Sequence, residues 1–227
     1  EIRFCDWSSD VCSSDLFSVK SPKSKAIDRM GLPNEIAGLP MPTIIARQSG
    51  EAWTRPFAVI FEPSTSSQPK SIVSIQSFRP VNAPADFVGL KIEGKENKQF
   101  IFSATETGKD VIYNEKTFSG THAVISETKN ALQYLFLGNG KNIANGGYSI
   151  TAKSGDASAA LEIKNNEWFF TGSSPINVTI PAEIFKGKTF RISISNRLYT
   201  GKKIVRSGKP VISFELPAST YSKIEFK

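Results

Sequence analysis

The stretch Phe190-Arg-Ile-Ser-Ile-Ser195 places Phe190, Ile192 and Ile194 at every second position, with polar residues between them. A strand turns successive side chains to opposite faces, so this pattern predicts a β-strand with one buried face. The same alternation recurs at Ile212, Phe214 and Leu216, and at Ile224 and Phe226 among Lys223, Glu225 and Lys227. It is present again at Val88, Leu90 and Ile92, and at Ile176, Val178 and Ile180. Residues 57–61 form a continuous apolar run, which predicts a strand covered on both faces. Asn139-Gly140, Asn145-Gly146-Gly147, Asn165-Asn166 and Lys186-Gly187 punctuate these runs. Asn and Gly accept the positive φ of tight hairpins, so each pair is expected to be a turn. The only helical expectation is a single turn over residues 181–185. Many short strands between Gly/Asn turns predict an all-β fold built of sandwiches, and no βα alternation suggests a parallel sheet.

Residues 6–16 read Asp-Trp-Ser-Ser-Asp-Val-Cys-Ser-Ser-Asp-Leu and share no period with the rest. They resemble an in-frame translation of a sequencing-library adapter. Residues 1–16 are therefore expected to be an adapter-derived or disordered tail without a stable fold. Both cysteines, Cys5 and Cys12, fall there, leaving no disulfide framework for the remainder. The net charge is +7, and setting aside Arg3 against Glu1, Asp6, Asp10 and Asp15 raises it to +10. A basic chain favours anionic partners such as acidic polysaccharide. No apolar run approaches the length of a membrane-spanning helix, and no nucleic-acid module is evident. Lys202, Lys203, Arg206 and Lys209 form the densest basic cluster, read first as a solvated surface and second as a ligand patch.

Pro22, Pro33, Pro40 and Pro42, with Gly31 and Gly38, predict a loop over residues 17–42. A second shift in composition, rich in Gly, Ser and Asn, spans residues 145–156. The expected organisation is a tail at 1–16, the end of a large antiparallel β-sandwich at 17–148, and a small C-terminal β-sandwich domain at 149–227.

The stretch Met41-Pro-Thr-Ile-Ile-Ala-Arg-Gln-Ser-Gly-Glu-Ala-Trp-Thr-Arg-Pro-Phe-Ala-Val-Ile-Phe-Glu-Pro63 resembles late strands of the central sandwich in heparinase II/III-like polysaccharide lyases. Gly120-Thr-His-Ala-Val-Ile-Ser-Glu127 and Leu135-Phe-Leu-Gly-Asn-Gly-Lys-Asn-Ile-Ala-Asn-Gly-Gly-Tyr-Ser-Ile150 resemble strands that close that sandwich. Residues 151–227 are similar to the small β-domain that ends heparinase II. The resemblance implies a bacterial, periplasmic or secreted parent that cleaves uronate polysaccharide by β-elimination. In such lyases a base removes the proton α to the carboxylate and an acid assists the leaving oxygen. It also implies that the catalytic Tyr and His lie upstream, in an N-terminal α-toroid and the early sandwich. No catalytic residue, metal ligand or cofactor is therefore assigned to this chain, and the missing α-toroid is an expected partner.

Four residues form the substrate-binding candidate: Arg47, Glu51, Trp53 and Arg55. Arginine forks onto a uronate carboxylate or a sulfate, and an indole offers a sugar ring a flat face. An Arg–Glu pair beside a Trp packed between sheets explains the same residues structurally. His122, the sole histidine, is read as a strand-edge or packed imidazole, since a metal needs several ligands. Glu162, Glu167 and Trp168 flank the Asn165-Asn166 turn. Paired carboxylates can hydrolyse glycosides, but alternation across a hairpin makes exposed charge the ordinary outcome. Asn177-Val-Thr179 matches a glycosylation sequon inside an alternating strand. Gly138-Asn-Gly140 is read as a hairpin turn rather than a phosphate cradle.

Three functions compete: the scaffold end of a lyase, a non-catalytic module that binds acidic polysaccharide, and a cell-surface adhesion domain. The DNA upstream separates them. Helical repeats with His/Tyr-rich segments favour the first, and a signal peptide immediately before Phe17 favours the others.

Overall fold

The computed structural model describes residues 58–105, 108–129, 131–186, 189–206 and 208–227 with their side chains. For Ile2–Cys5 (β1), Asp15–Ser21 (β2) and Met41–Arg47 (β3) it describes strand pairing alone. All pairing is antiparallel, and the sole helical element among the described residues is a 3-10 turn at Ala182–Phe185, as the sequence predicts.

The spine is a hairpin of two long strands, β9 (Lys116–Thr128) and β10 (Ala131–Asn145), paired from end to end with register shifts at Leu132/Tyr134 and Gly140/Asn142. Each strand changes partners midway. The second half of β9 pairs with β7 (Asn97–Ser103), which continues to β6 (Val88–Gly94) and β5 (Ile72–Phe78). The first half of β9 pairs with β8 (Val111–Tyr113). The first half of β10 pairs with β12 (Ala157–Lys164), followed by β13 (Glu167–Gly172), β19 (Ser219–Phe226), β15 (Arg191–Ile194) and β16 (Arg197–Thr200). Its last residues pair with β11 (Tyr148–Ala152), then β14 (Ile176–Pro181), β18 (Lys209–Leu216) and β17 (Lys202–Arg206). The spine thus contributes to two layers. The first runs β5-β6-β7-β9-β10-β12-β13-β19-β15-β16, and the second β8-β9-β10-β11-β14-β18-β17.

The layers face each other because the spine folds back on itself. Lys116 and Glu127 stand eleven residues apart in β9, which would be roughly 36 Å in a straight strand. Their side chains meet at 3.6 Å. Lys116 also lies 4.1 Å over the Phe100 ring of the first layer, and Asn145 donates to Glu127 at 2.7 Å. The fold-back occurs where Gly120 pairs with Gly140, beside register shifts in β10. A Cβ on Gly140 would stand 2.5 Å from the Ser119 carbonyl oxygen and 2.6 Å from the Gly120 Cα. Only glycine lets the two backbones cross this closely. Asn139, at φ +46, adopts the left-handed conformation beside it. Its N–H leaves the ladder and donates to the Ser158 hydroxyl at 2.9 Å.

The buried side chains between the layers form one cluster. Leu135, Leu137, Leu161 and Phe170 meet Ile143, Ile150, Ile180 and Phe214 across it. Burying such side chains stabilises by about 1.5–3 kcal/mol each before entropy is counted. Ile192, Ile194, Ile212, Leu216, Ile224, Ile176 and Val178 are buried as alternation predicts.

Several expectations are corrected. Asn139-Gly140 is a bulge inside β10 rather than a turn, since positive φ serves bulges as well as hairpins. Residues 58–61 are not covered on both faces: β4 (Ala58–Phe61) pairs with β1, and Phe61 is 70% exposed. The expected loop over 17–42 includes β2 residues 17–21 and the start of β3, and those strands pair with each other. Strands β1 and β2 also place paired segments within residues 1–16, where no element was expected. Ile2 and Phe4 alternate with Arg3 and Cys5, a period that suits a strand. The division at 148/149 falls inside β11, and the core continues across it. The Gly/Asn-rich composition there marks a hairpin at Gly146, φ +57, rather than a linker. Leu90 and Ile92 are buried, but they pair with Ile101 and Gln99, on the face opposite Phe100 and Phe102.

Gly140→Ala is therefore expected to destabilise by about 1–3 kcal/mol, the usual range for forced overpacking. Gly108, whose Cβ would meet nothing within 4 Å, should accept Ala with almost no change. Urea denaturation of both variants measures the difference.

Candidate functional site

Arg47 ends β3 with its backbone opposite Asp15. Its side chain, and all of Glu51, Trp53 and Arg55, lie outside the described residues. His122 is exposed on the outer face of the first layer, edge-on to Phe136 with ring centroids 6.1 Å apart.

The hairpin β12–β13 turns through Asn165 and Asn166, at φ +52 and +63, as the Asn-Asn pair predicts. Strand alternation then separates the three residues around it. Trp168 points inward, 8% exposed, against Phe226 and Tyr148. Glu162 and Glu167 point outward to different partners. Glu162 accepts the Tyr221 hydroxyl at 2.7 Å, and Glu167 pairs with Lys223 at 2.5 Å. Two carboxylates so committed do not face a common substrate bond.

Glu162 instead sits among outward-facing aromatics. It is opposite Tyr134 on one side and Phe169 on the other. Tyr221 stacks parallel to Phe169 at 5.0 Å, and Tyr134 is parallel to Phe136 at 6.2 Å. Burial raises the pKa of Tyr134, and the Glu162 charge adds to it. The hydrogen bond to Glu162 raises that of Tyr221, with desolvation second. Sequence reading missed this patch because its members come from four strands and share a face only through register.

Two hollows lie at the end of the sandwich where the layers separate. One, about 300 Å³, is bordered by Glu115, Glu127, Glu183, Asn145 and Lys209. The other, about 680 Å³, is walled by Tyr148, Trp168 and Phe226. They share Leu132, Tyr148 and Glu183. Burial, then the nearby Glu183 charge, raises the pKa of Tyr148. Among the described residues no three His, Cys, Asp or Glu side chains converge as metal ligands would. No helix among them is long and apolar enough to cross a membrane.

Residues 75–163 match the family described as Endo-acting ulvan lyase C-terminal domain. That span runs from β5 to β12 and contains the whole spine. The chain is also similar to the Endo-acting ulvan lyase of Formosa agariphila, 29% identical over 121 residues. The alignment covers 50% of this chain and 14% of that protein. No solved structure shows a significant match. The likeness is thus to the C-terminal domain of endo-acting ulvan lyases, over residues 75–163 of this all-β chain.

The tyrosine cluster carries a pH test. A phenol with a raised folded pKa contributes stability while protonated, and loses it as pH rises through that pKa, above the ordinary 10.0. Glu162→Gln should lower the Tyr221 pKa toward the ordinary value and move Tyr134 less, since burial dominates there. NMR titration of ring-labelled tyrosine measures both.

Proposed function

We propose that this chain is the C-terminal β-sandwich part of a larger, heparinase II/III-like bacterial polysaccharide lyase. The parent acts by β-elimination on a uronate-containing polysaccharide, ulvan being the substrate class that the relative's name suggests. This part serves as scaffold and carries no catalytic residue. The match of residues 75–163 to an ulvan lyase C-terminal domain carries the reading. The short alignment with the relative fits a parent with further domains, among them an α-toroid that supplies the catalytic Tyr and His. The parent is periplasmic or secreted, where its polymer is found.

A second reading, a non-catalytic module that binds acidic polysaccharide, is favoured by the basic edge strand β17. Lys202, Lys203 and Arg206 stand along it, and burial lowers the pKa of the half-buried Arg206. In either reading Arg47, Glu51, Trp53 and Arg55 are proposed to touch the polymer, the arginines at its carboxylates or sulfates and Trp53 under a ring.

The chain alone is expected to release no unsaturated product from ulvan, heparin or heparan sulfate, followed by ultraviolet absorbance. Sustained turnover abolished by His122→Ala would overturn the scaffold reading. Binding to acidic polysaccharide should be weak and fade with salt, since exposed charges are screened over about 8 Å at physiological ionic strength. Arg55→Ala is expected to weaken that binding with the melting temperature unchanged. A lowered melting temperature with unchanged binding would assign Arg55 to the scaffold, by stranding a partner such as Glu51.

A further inference from the structure

The larger hollow at the end of the sandwich has a composition that packing alone does not explain. Its walls include three aromatic rings from different strands, Tyr148 of β11, Trp168 of β13 and Phe226 of β19, beside Leu132, Ile163 and Ile184. Trp168 meets Phe226 edge-on at 5.1 Å and Tyr148 at a tilt at 6.2 Å. Gln133, Asn166 and Glu183 stand at its border. The hydrogen-bonding groups here are unused. The Tyr148 hydroxyl, the Trp168 indole N–H and the Gln133 and Asn166 amides have no hydrogen-bond partner among the described residues, and the indole N–H is not sealed from solvent. An indole held in a core ordinarily finds an acceptor for its N–H. Asn166 is exposed at φ +63 in a two-residue turn, which places it at the border of the cleft.

We infer that this cleft is a saccharide-binding site that takes an uncharged pyranose ring. At about 680 Å³ it falls within the size range of small-ligand sites, which combine apolar walls with a few placed polar groups. A pyranose has that dual character: its C–H face suits an aromatic wall, and its hydroxyls suit amides and a phenol. Charge decides which ring. Glu183 and Lys186 both border the cleft, Glu115 stands 3.9 Å from Lys209 and Glu127 3.6 Å from Lys116, so the charges around it balance and no arginine lines it. A uronate or sulfated ring would find no cationic excess here to offset the loss of its hydration, whereas an uncharged ring needs none. The site deepens the proposed polysaccharide-lyase reading and rests on it for the choice of a sugar. It involves none of the candidate residues at positions 47–55, where arginine would select the charged units of a polymer.

The test is an NMR titration of the full 227-residue chain, following the indole N–H signals of its three tryptophans. Trp168→Phe assigns the signal of interest. The probes are xylotetraose, uncharged, and tetragalacturonate, fully charged. Xylotetraose is expected to shift the Trp168 signal at millimolar concentration, with an affinity unaffected by added salt, and tetragalacturonate to shift it far less. Asn166→Gly and Gln133→Ala, both at the border and outside the core, should each weaken xylotetraose binding about five- to tenfold, the usual effect of one hydrogen bond. Thermal melts of these variants verify the fold. A Trp168 signal unmoved by either sugar would overturn the site. So would a shift that both variants leave unchanged, or a stronger response to tetragalacturonate. The lyase reading fails on a different result, an upstream gene sequence that encodes no lyase catalytic domain.

Discussion

The structure depends on the crossing of two glycines. Gly120 and Gly140 face each other where the spine hairpin doubles over, and each stands where the other's Cβ would have to be. A hairpin of thirteen- and fifteen-residue strands would otherwise be a long two-stranded ribbon, marginal in water and exposed on both faces. The fold-back turns each strand into a member of two layers. Lys116, Glu127 and Asn145 then join the ends that the fold-back brings together. A cation that is 9% exposed is costly without a partner, and here it has both a carboxylate and the face of Phe100. Such a contact is specific to the folded-back geometry, because no straight strand could make it.

Much of this fold was legible as period two. Ile212, Phe214 and Leu216 declare a strand because alternation is a local property, and their burial follows from it. The fold-back was not legible, since a close backbone approach is a relation between two distant glycines. Asn139-Gly140 signalled positive φ correctly, but the same dihedral serves a hairpin and a bulge, and only the partner strand β12 decides between them. Leu90 and Ile92 show a related ambiguity. Alternation says that they share a face, not which face, and Gly89 is small because the Phe78 ring occupies the inner side.

The candidate sites divide in the same way. Glu162, Glu167 and Trp168 drew attention together because they are neighbours along the chain. A strand separates such neighbours by turning them to opposite faces, and it places each with strangers. Trp168 joins Tyr148 and Phe226, while Glu162 joins Tyr134 and Tyr221. Neither grouping has a sequence spacing that could have announced it. What the sequence did carry was residue chemistry: an unusual tryptophan beside an Asn-Asn turn, and that turn does hold the Asn166 amide at the border of the end cleft.

The position of the end cleft follows from the architecture. Two layers joined by one folded spine cross near Gly120 and Gly140 and are tied again by Lys116, Glu127 and Asn145, beside which the cleft opens. The side chains that line it mix the flat aromatics Tyr148, Trp168 and Phe226 with the aliphatics Leu132, Ile163 and Ile184. Cores pack to near-crystalline density, so an opening here needs side chains that cannot interdigitate. Rings standing edge-on to one another leave a slot, and the 3-10 turn at Ala182–Phe185 supports it by placing Phe185 against Phe226 and Phe214. The opening is thus held by rigid contacts in the core, whereas Arg47, Glu51, Trp53 and Arg55 lie close together along the chain. A sugar ring entering the cleft would therefore meet a shape fixed by the core, a constraint that needs no charge.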